Sequence, residues 1–483
     1  MILVFDIGTT TVKGALFSGK GELINSKSAR VHLQSTDGAG RHEVNPDEWM
    51  RAMGTLCGSL LAAHGPAVEA ITISGNGPTI VASDSNGRAI RPAITWLDRR
   101  GLDEAAFVRE RCGVFVDSSF YLPKVLWLKN NEPATYDNAA HFLSCSEYVA
   151  FRLTGEPVMV FPGEGLENLV WTERMIRELD LDEQKFPPFV GYGQRIGKVT
   201  ADAAVSLGIP KGIPVFGGGP DFMMSILGTA SVKPGKACDR AGTSEGVNVC
   251  TAKRVKDDKL LCYRHIVPEF WNVAGIISTS GKALEWYGES LLGGAFSYET
   301  LDRMASAAAP GSRRLIFLPY LSGERTPIWD PHARGVFLGL ALHHNTGDLA
   351  RAVLESTGYA IRDVLSLMGE NGIIVDEMTV AGSPAKSDTW NQIKADITGK
   401  RILVPENLDS ELVGDACMAM YRLGRYASPA EAATELVKIQ KVIEPLQDNR
   451  QIYTELFEIY KETYNRLKPV FFHMAGKQVG GSE

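Results

Sequence analysis

Hydrophobic and polar positions at the start of the chain fall into a strand, loop, strand order. Ile2-Leu-Val-Phe5 is an unbroken apolar run, Asp6-Ile-Gly-Thr-Thr-Thr11 is polar, and Val12-Lys-Gly-Ala-Leu-Phe17 is apolar again, closed by Gly19-Lys-Gly21 before Leu23-Ile24. Short apolar runs bounded by glycine and hydroxyl residues predict a β-meander. The order recurs mid-chain, where Ala237-Cys-Asp-Arg240 leads into Ala241-Gly-Thr-Ser-Glu-Gly246 and then Val247-Asn-Val-Cys250. Two such units predict a duplicated architecture. Between them Ala70-Ile-Thr-Ile-Ser74 and Ile213-Pro-Val-Phe216, each followed by glycine, read as parallel strands. From Asp348 the period becomes helical: Leu349, Val353, Ala360, Val364 and Leu367 share one face, after a cap at Asn345 or Thr346. The pattern predicts an α/β protein of two domains, 1–234 and 235–483, with the junction near Pro234-Gly235.

The length of 483 residues fits that division, because a domain typically holds about 150 residues or somewhat more. A hydrophobic fraction of 44% and a charged fraction of 22% are globular values. The formal charge, 50 − 57 = −7, argues against a nucleic-acid partner, which calls for a basic face. Seven cysteines without a pairing pattern predict reduced, mostly buried thiols rather than a disulfide framework. The opening apolar run lacks a basic flank and is broken at Asp6, and no stretch has membrane-spanning character, so a cytoplasmic protein without membrane partners is expected. A homodimer is compatible with these features.

Several segments carry candidate chemistry. The Asp6-Ile-Gly8-Thr9-Thr10-Thr11-Val-Lys13 loop offers glycine for close approach, backbone N–H groups, three hydroxyls and a cation, as phosphate oxygens require; the bland alternative is a polar hairpin turn. Gly14 to Lys20 approaches a Walker loop but meets Gly21 where serine or threonine is needed, and it lies on a strand pair. Gly242-Thr-Ser244-Glu-Gly246 matches the nucleophile elbow of hydrolases, yet that elbow requires a following helix and Val247-Asn-Val-Cys250 predicts a strand. Gly217-Gly218-Gly219-Pro220-Asp221 reads as a strand end, a glycine turn and a helix start, with Asp221 in the first helical turn as either a base or a simple cap. Thr95-Trp96-Leu-Asp98-Arg99-Arg100 sets an aromatic plate beside a carboxylate and a guanidinium, suited to a sugar or equally to a half-buried ion pair. His343 and His344 are adjacent and cannot form the usual chelating face.

Taken together, these residues resemble the FGGY carbohydrate kinases over most of the chain. Gly335-Val-Phe-Leu-Gly339-Leu340, Asp348-Leu349 and Ala352-Val-Leu-Glu355 are similar to the family's second signature. Tyr320-Leu-Ser-Gly-Glu-Arg325-Thr-Pro327 is similar to the segment that opens this region in xylulose kinases. The resemblance implies two ribonuclease-H-like, actin-like domains around a central ligand cleft, ATP and Mg²⁺ as cofactors, and phosphoryl transfer to the terminal hydroxyl of a small sugar. It makes Asp221 the catalytic base, and assigns Gly8, Thr9, Thr10 and Lys13 with Gly242 and Thr243 to the phosphates and Gly382 and Lys386 to the nucleotide. On the sugar side it implies Asn76, Trp96, Asp98, Arg100 and Asp221, and for the metal Asp6 and Asp221. Two segments depart from the family pattern: proline stands at 384 in the adenosine loop Ala381 to Ser387, and the Ser74-Gly75-Asn76-Gly77-Pro78 loop holds no histidine. D-xylulose is the expected acceptor. Ribulose, fuculose and gluconate are the alternatives, as is a non-catalytic actin-like ATPase that senses sugar.

Overall fold

The computed structural model describes residues 1–36, 40–65, 67–294 and 296–478. The chain forms two compact units, residues 1–228 with 410–436 and residues 229–409 with 437–483. Sequence patterning placed one junction near Pro234-Gly235; the chain passes between units three times, after Gly228, Asp409 and Leu436. The return of 410–436 to the first unit has a packing cause. The Ser410–Arg422 helix is buried from Ser410 to Met420 and lies against the Asp221–Gly228 helix. Two glycines permit the approach, since a Cβ on Gly228 would come within 1.9 Å of the Ser410 carbonyl oxygen and one on Gly414 within 2.0 Å of that of Met224.

In the first unit, strands β1 (Ile2–Ile7), β2 (Thr11–Phe17), β3 (Leu23–Arg30), β4 (Ala70–Gly75), β5 (Arg195–Lys198) and β6 (Pro214–Pro220) form one sheet in the order β5-β6-β4-β1-β2-β3. The predicted meander is β1 to β3, and β4 and β6 are the predicted parallel strands. β1 is buried along its whole length, Asp6 included, as a strand between two neighbours should be. Trp49, Met53, Leu56, Cys57 and Leu60 recur at helical spacing on the Pro46–Leu61 helix, which Asn45 caps by accepting from the Asp47 N–H at 3.0 Å.

The second unit repeats the plan. Strands β7 (Lys236–Ala241), β8 (Glu245–Thr251), β9 (Leu261–Arg264), β10 (Trp271–Ile277), β11 (Glu377–Ala381), β12 (Arg401–Pro405) and β13 (Ile439–Ile443) run in the order β9-β10-β8-β7-β11-β12-β13. In each unit an antiparallel meander is followed by two parallel strands and an antiparallel edge strand; β9 is the addition. This is the duplication predicted from the two strand-loop-strand units. The Thr346–Glu370 helix starts at the predicted cap: Asn345 accepts from the Asp348 N–H, and the Asp348 carboxylate accepts from the Asn345 N–H. Six of the seven cysteines are buried and Cys262 is half-buried. Among the described residues no helix is long and apolar enough to cross a membrane.

Candidate functional site

In the first unit the loop between β1 and β2 is fixed by a hydrogen bond from the Gly8 N–H to the Thr11 carbonyl, 3.1 Å. A Cβ at residue 8 would lie 2.3 Å from that carbonyl oxygen, so the turn requires glycine. The neighbouring Thr9 hydroxyl accepts from Asn76 Nδ2 at 2.6 Å and from Trp96 Nε1 at 3.0 Å. Asn76 is anchored in turn, its N–H on the Ile7 carbonyl and its Oδ1 accepting from the Thr79 hydroxyl at 2.9 Å. Three residues expected from sequence, one on the phosphate loop and two on the sugar side, thus form one cluster. With both lone pairs occupied, the Thr9 hydroxyl can only donate toward a ligand. Thr10 is exposed. Lys13 faces Asp6 across the β1–β2 pair, with Nζ 3.9 Å from Glu411 Oε2.

Asp98 and Arg100 occupy a different environment from the one expected. The Asp98 carboxylate is fully buried and accepts from the Arg100 N–H (3.0 Å), Nε (2.9 Å) and Nη2 (2.7 Å) and from the His42 N–H (2.7 Å). Burial pushes the Asp98 carboxyl up, but the Arg100 and His42 hydrogen bonds together hold it below the usual range. Arg100 also binds Glu43 at 2.6 Å and covers the Trp127 ring at 4.8 Å. With both Asp98 oxygens and the Arg100 Nε and Nη2 groups engaged and both side chains buried, the pair braces the turn that carries Trp96.

The three glycines form a bulged strand, not a free turn. Opposite β4, Gly217 pairs with Ile73 and Gly219 with Ser74, leaving Gly218 as the extra residue. A Cβ on Gly218 would meet Asp415 Oδ1 at 2.2 Å, and one on Gly217 would meet Val160 Cγ2 at 2.6 Å. Gly219, at φ +86°, lies against Tyr192 and Val160. The glycines therefore make room for the protein's own side chains. The bulge ends in Pro220 and Asp221, the first residue of the Asp221–Gly228 helix, where the helix dipole favours a negative charge. Beside it is a pocket whose polar lining is Asn76, Tyr121, Ser144, Ser146 and Glu147 and whose apolar lining includes Phe222. Among the described residues no lysine, arginine or histidine lines it. Burial lifts the Glu147 carboxyl above the usual range, against hydrogen bonds from Ser146 and the Val160 N–H.

Asp415 was not anticipated from sequence. Its Oδ2 accepts from the Ser74 hydroxyl at 2.6 Å, at the end of β4, next in register to Asp6 on β1. Burial raises its carboxyl well above the usual range, and Asp6 and Glu411 push it further. The available signal was an aspartate inside the apolar run Leu412-Val-Gly-Asp-Ala-Cys-Met-Ala-Met420.

In the second unit, the corresponding hairpin turn holds Gly242 and Thr243. The Gly242 N–H bonds the Ser244 carbonyl at 2.8 Å, while the Gly242 and Thr243 carbonyls accept from the N–H groups of Gly281 (2.9 Å) and Ser280 (3.1 Å). Ser244 leads into strand β8, not a helix, which removes the hydrolase elbow. Gly382, at φ +85°, follows β11; a Cβ there would lie 2.1 Å from the Ala241 carbonyl oxygen, so this loop closes onto the Gly242 turn. Pro384 fits the first turn of the short Ser383–Lys386 helix, and Lys386 is exposed. The Tyr320–Pro327 segment has internal work: Tyr320 donates to Tyr460 at 2.8 Å, and Glu324 Oε1 accepts from the N–H groups of Ser278 (2.6 Å) and Arg325 (2.7 Å).

Among the described residues no group of three or more histidine, cysteine, aspartate or glutamate side chains is placed to hold a metal ion. Asp6 on β1 pairs in register with Ser74 of β4, and Ser74 with Gly219 of β6, two residues before Asp221. Two carboxylates in one neighbourhood suit Mg²⁺, which keeps several waters and binds through one or two carboxylates plus phosphate oxygens.

Residues 1–228 match the N-terminal domain, and residues 240–423 the C-terminal domain, of the FGGY family of carbohydrate kinases. A xylulose kinase of Staphylococcus epidermidis is 28% identical, covering 97% of this chain and 97% of its own. A gluconokinase of Bacillus subtilis is 26% identical, covering 99% and 98%. The crystal structure of xylulose kinase from Rhodospirillum rubrum is similar with a TM-score of 0.84 at 26% identity, covering 97% of this chain and 99% of that one.

Proposed function

This chain belongs to the FGGY family of carbohydrate kinases, and we propose that it phosphorylates the terminal hydroxyl of D-xylulose to give D-xylulose 5-phosphate, with Asp221 as the base. The observation that carries the acceptor assignment is the likeness to xylulose kinases over nearly the whole chain, at 28% identity against 26% for the gluconokinase. The small pocket beside Asp221 holds the Glu147 carboxyl and, among the described residues, no cationic side chain to pair with the carboxylate of gluconate.

In the reaction the sugar hydroxyl oxygen forms a bond to the γ-phosphorus as the bond to the ADP oxygen breaks, and the hydroxyl proton passes to Asp221. The transition state is loose, so the protein contributes mainly position and charge. Asn76 and Trp96 orient the sugar through their shared contact with Thr9, and Asp98 and Arg100 hold the Trp96 turn. Gly8, Thr9, Thr10 and Lys13 serve the phosphates from the first unit, and Gly242 and Thr243 from the second, where Gly382 and Lys386 take the adenosine. Mg²⁺ neutralises phosphate charge when bound, and Asp6 and Asp221 are the residues that would hold it.

The test is an ADP-release assay over D-xylulose, ribulose, fuculose and gluconate. The highest kcat/KM is expected for D-xylulose, with gluconate at least ~10-fold lower, about 1.4 kcal/mol of transition-state preference. A gluconate value above that of D-xylulose would overturn the acceptor assignment.

A further inference from the structure

The second unit contains a fully buried group of charges that no part of the proposed mechanism uses. Lys394, on the Asp388–Thr398 helix, points its ammonium at Asp239 Oδ2 on β7 (2.7 Å) and at Glu245 Oε1 on β8. All three side chains are 2% exposed or less. Asp239 and Glu245 stand on the two strands that enter and leave the Gly242-Thr243 turn. The group continues outward from Lys394. Glu245 Oε2 accepts from the Ser280 hydroxyl at 2.6 Å, and the Ser280 N–H donates to the Thr243 carbonyl at 3.1 Å. The next residue, Gly281, donates to the Gly242 carbonyl at 2.9 Å.

We propose that Lys394 is a positioning residue for nucleotide binding, setting the Gly242-Thr243 turn through Glu245 and Ser280; this rests on the reading of that turn as a phosphate loop. A buried ion group is weak evidence for stability, because desolvation offsets much of the attraction, and its best-supported use is to fix one arrangement of the chain. Here that arrangement is specific. One ammonium ties the two strands of the hairpin to one helix, and one carboxylate carries the constraint to the turn itself. Burial and the nearby Glu245 charge push the Asp239 carboxyl well above the usual range, while the Lys394 ammonium and the hydrogen bonds from Asp239 and Ser280 hold Glu245 below it despite burial. Asp239 Oδ1 has no hydrogen-bond partner among the described residues, but each link from Lys394 through Glu245 and Ser280 to the turn is made, and rigidity in a phosphate-binding turn lowers the ordering cost of binding.

The experiment measures ADP affinity by calorimetry, without sugar, for the full-length protein and for Ser280→Ala and Lys394→Met, together with KM for ATP, KM for sugar and kcat. Ser280→Ala cuts the link at its far end and leaves the buried charges paired, so it remains informative if Lys394→Met does not fold. The expected result is ADP binding weakened at least ~10-fold in each folded variant and a matching rise in KM for ATP. KM for sugar should stay within ~2-fold. Folded variants that lose thermal stability but bind ADP as the wild type does would overturn the positioning role. Failure of the wild-type protein to bind ADP would instead overturn the phosphate-loop reading beneath it.

Discussion

Trp96 Nε1 and the Thr9 hydroxyl, 87 residues apart in sequence, are joined by a 3.0 Å hydrogen bond. The bond couples the aromatic plate to the phosphate loop and directs the Thr9 hydrogen outward, because Asn76 occupies the other lone pair. Trp96→Phe keeps a ring and removes the donor. The expected effect is a fall of roughly 2- to 10-fold in kcat/KM for sugar, the equivalent of a hydrogen bond worth about 0.5–1.5 kcal/mol. Steady-state kinetics with varied sugar checks it; an unchanged kcat/KM would show that the donor is dispensable.

Gly218 and Asp415 should be energetically coupled. A Cβ at 218 collides with Asp415 Oδ1 and lies 3.0 Å from the Ile73 carbonyl oxygen. Gly218→Ala is expected to lower stability by roughly 1–3 kcal/mol, and by less in an Asp415→Ala background, where the first clash is gone. Denaturant unfolding of the four proteins measures the coupling, and strictly additive costs would contradict it.

Glu324 gives stability a pH dependence of defined sign. Burial lifts its carboxyl from 4.5 to about 7, against hydrogen bonds from Ser278 and Arg325. The folded protein therefore keeps a proton that the unfolded chain has lost. Its contribution is fully present below about pH 4.5, declines as pH rises to about 7 and is level above that. Glutamine can accept the same two N–H bonds through one oxygen without titrating. Glu324→Gln should match the wild type near pH 4.5 and exceed it at pH 8 by roughly 1–3 kcal/mol. Thermal unfolding across that range should show the gap opening; a gap constant with pH would contradict the assignment.

Much of the fold was legible because its signals are local. The β1–β3 meander, its repeat at β7 and β8, and the Asn345 cap each follow from neighbouring residues. The Thr9, Asn76 and Trp96 cluster could be named residue by residue, although nothing local showed that one hydroxyl joins all three. What stayed hidden depends on contacts distant in sequence. Asp415 meets Ser74 across 341 positions, and Lys394 meets Asp239 across 155. The return of 410–436 to the first unit depends on two glycines, Gly228 and Gly414, whose spacing carries no periodic signature. The run at Gly217 to Gly219 was visible, but its purpose was not: the space is filled by Val160, Tyr192 and Asp415.

The most direct test of the account is the turnover of Asp221→Asn with D-xylulose and ATP. General-base assistance typically contributes about 10²–10⁴-fold, and asparagine preserves size while removing the proton acceptor. The account requires kcat to fall by ~100-fold or more while the variant retains its unfolding temperature and its affinity for ADP. A folded variant that binds ADP and turns over within a few-fold of the wild type would contradict it.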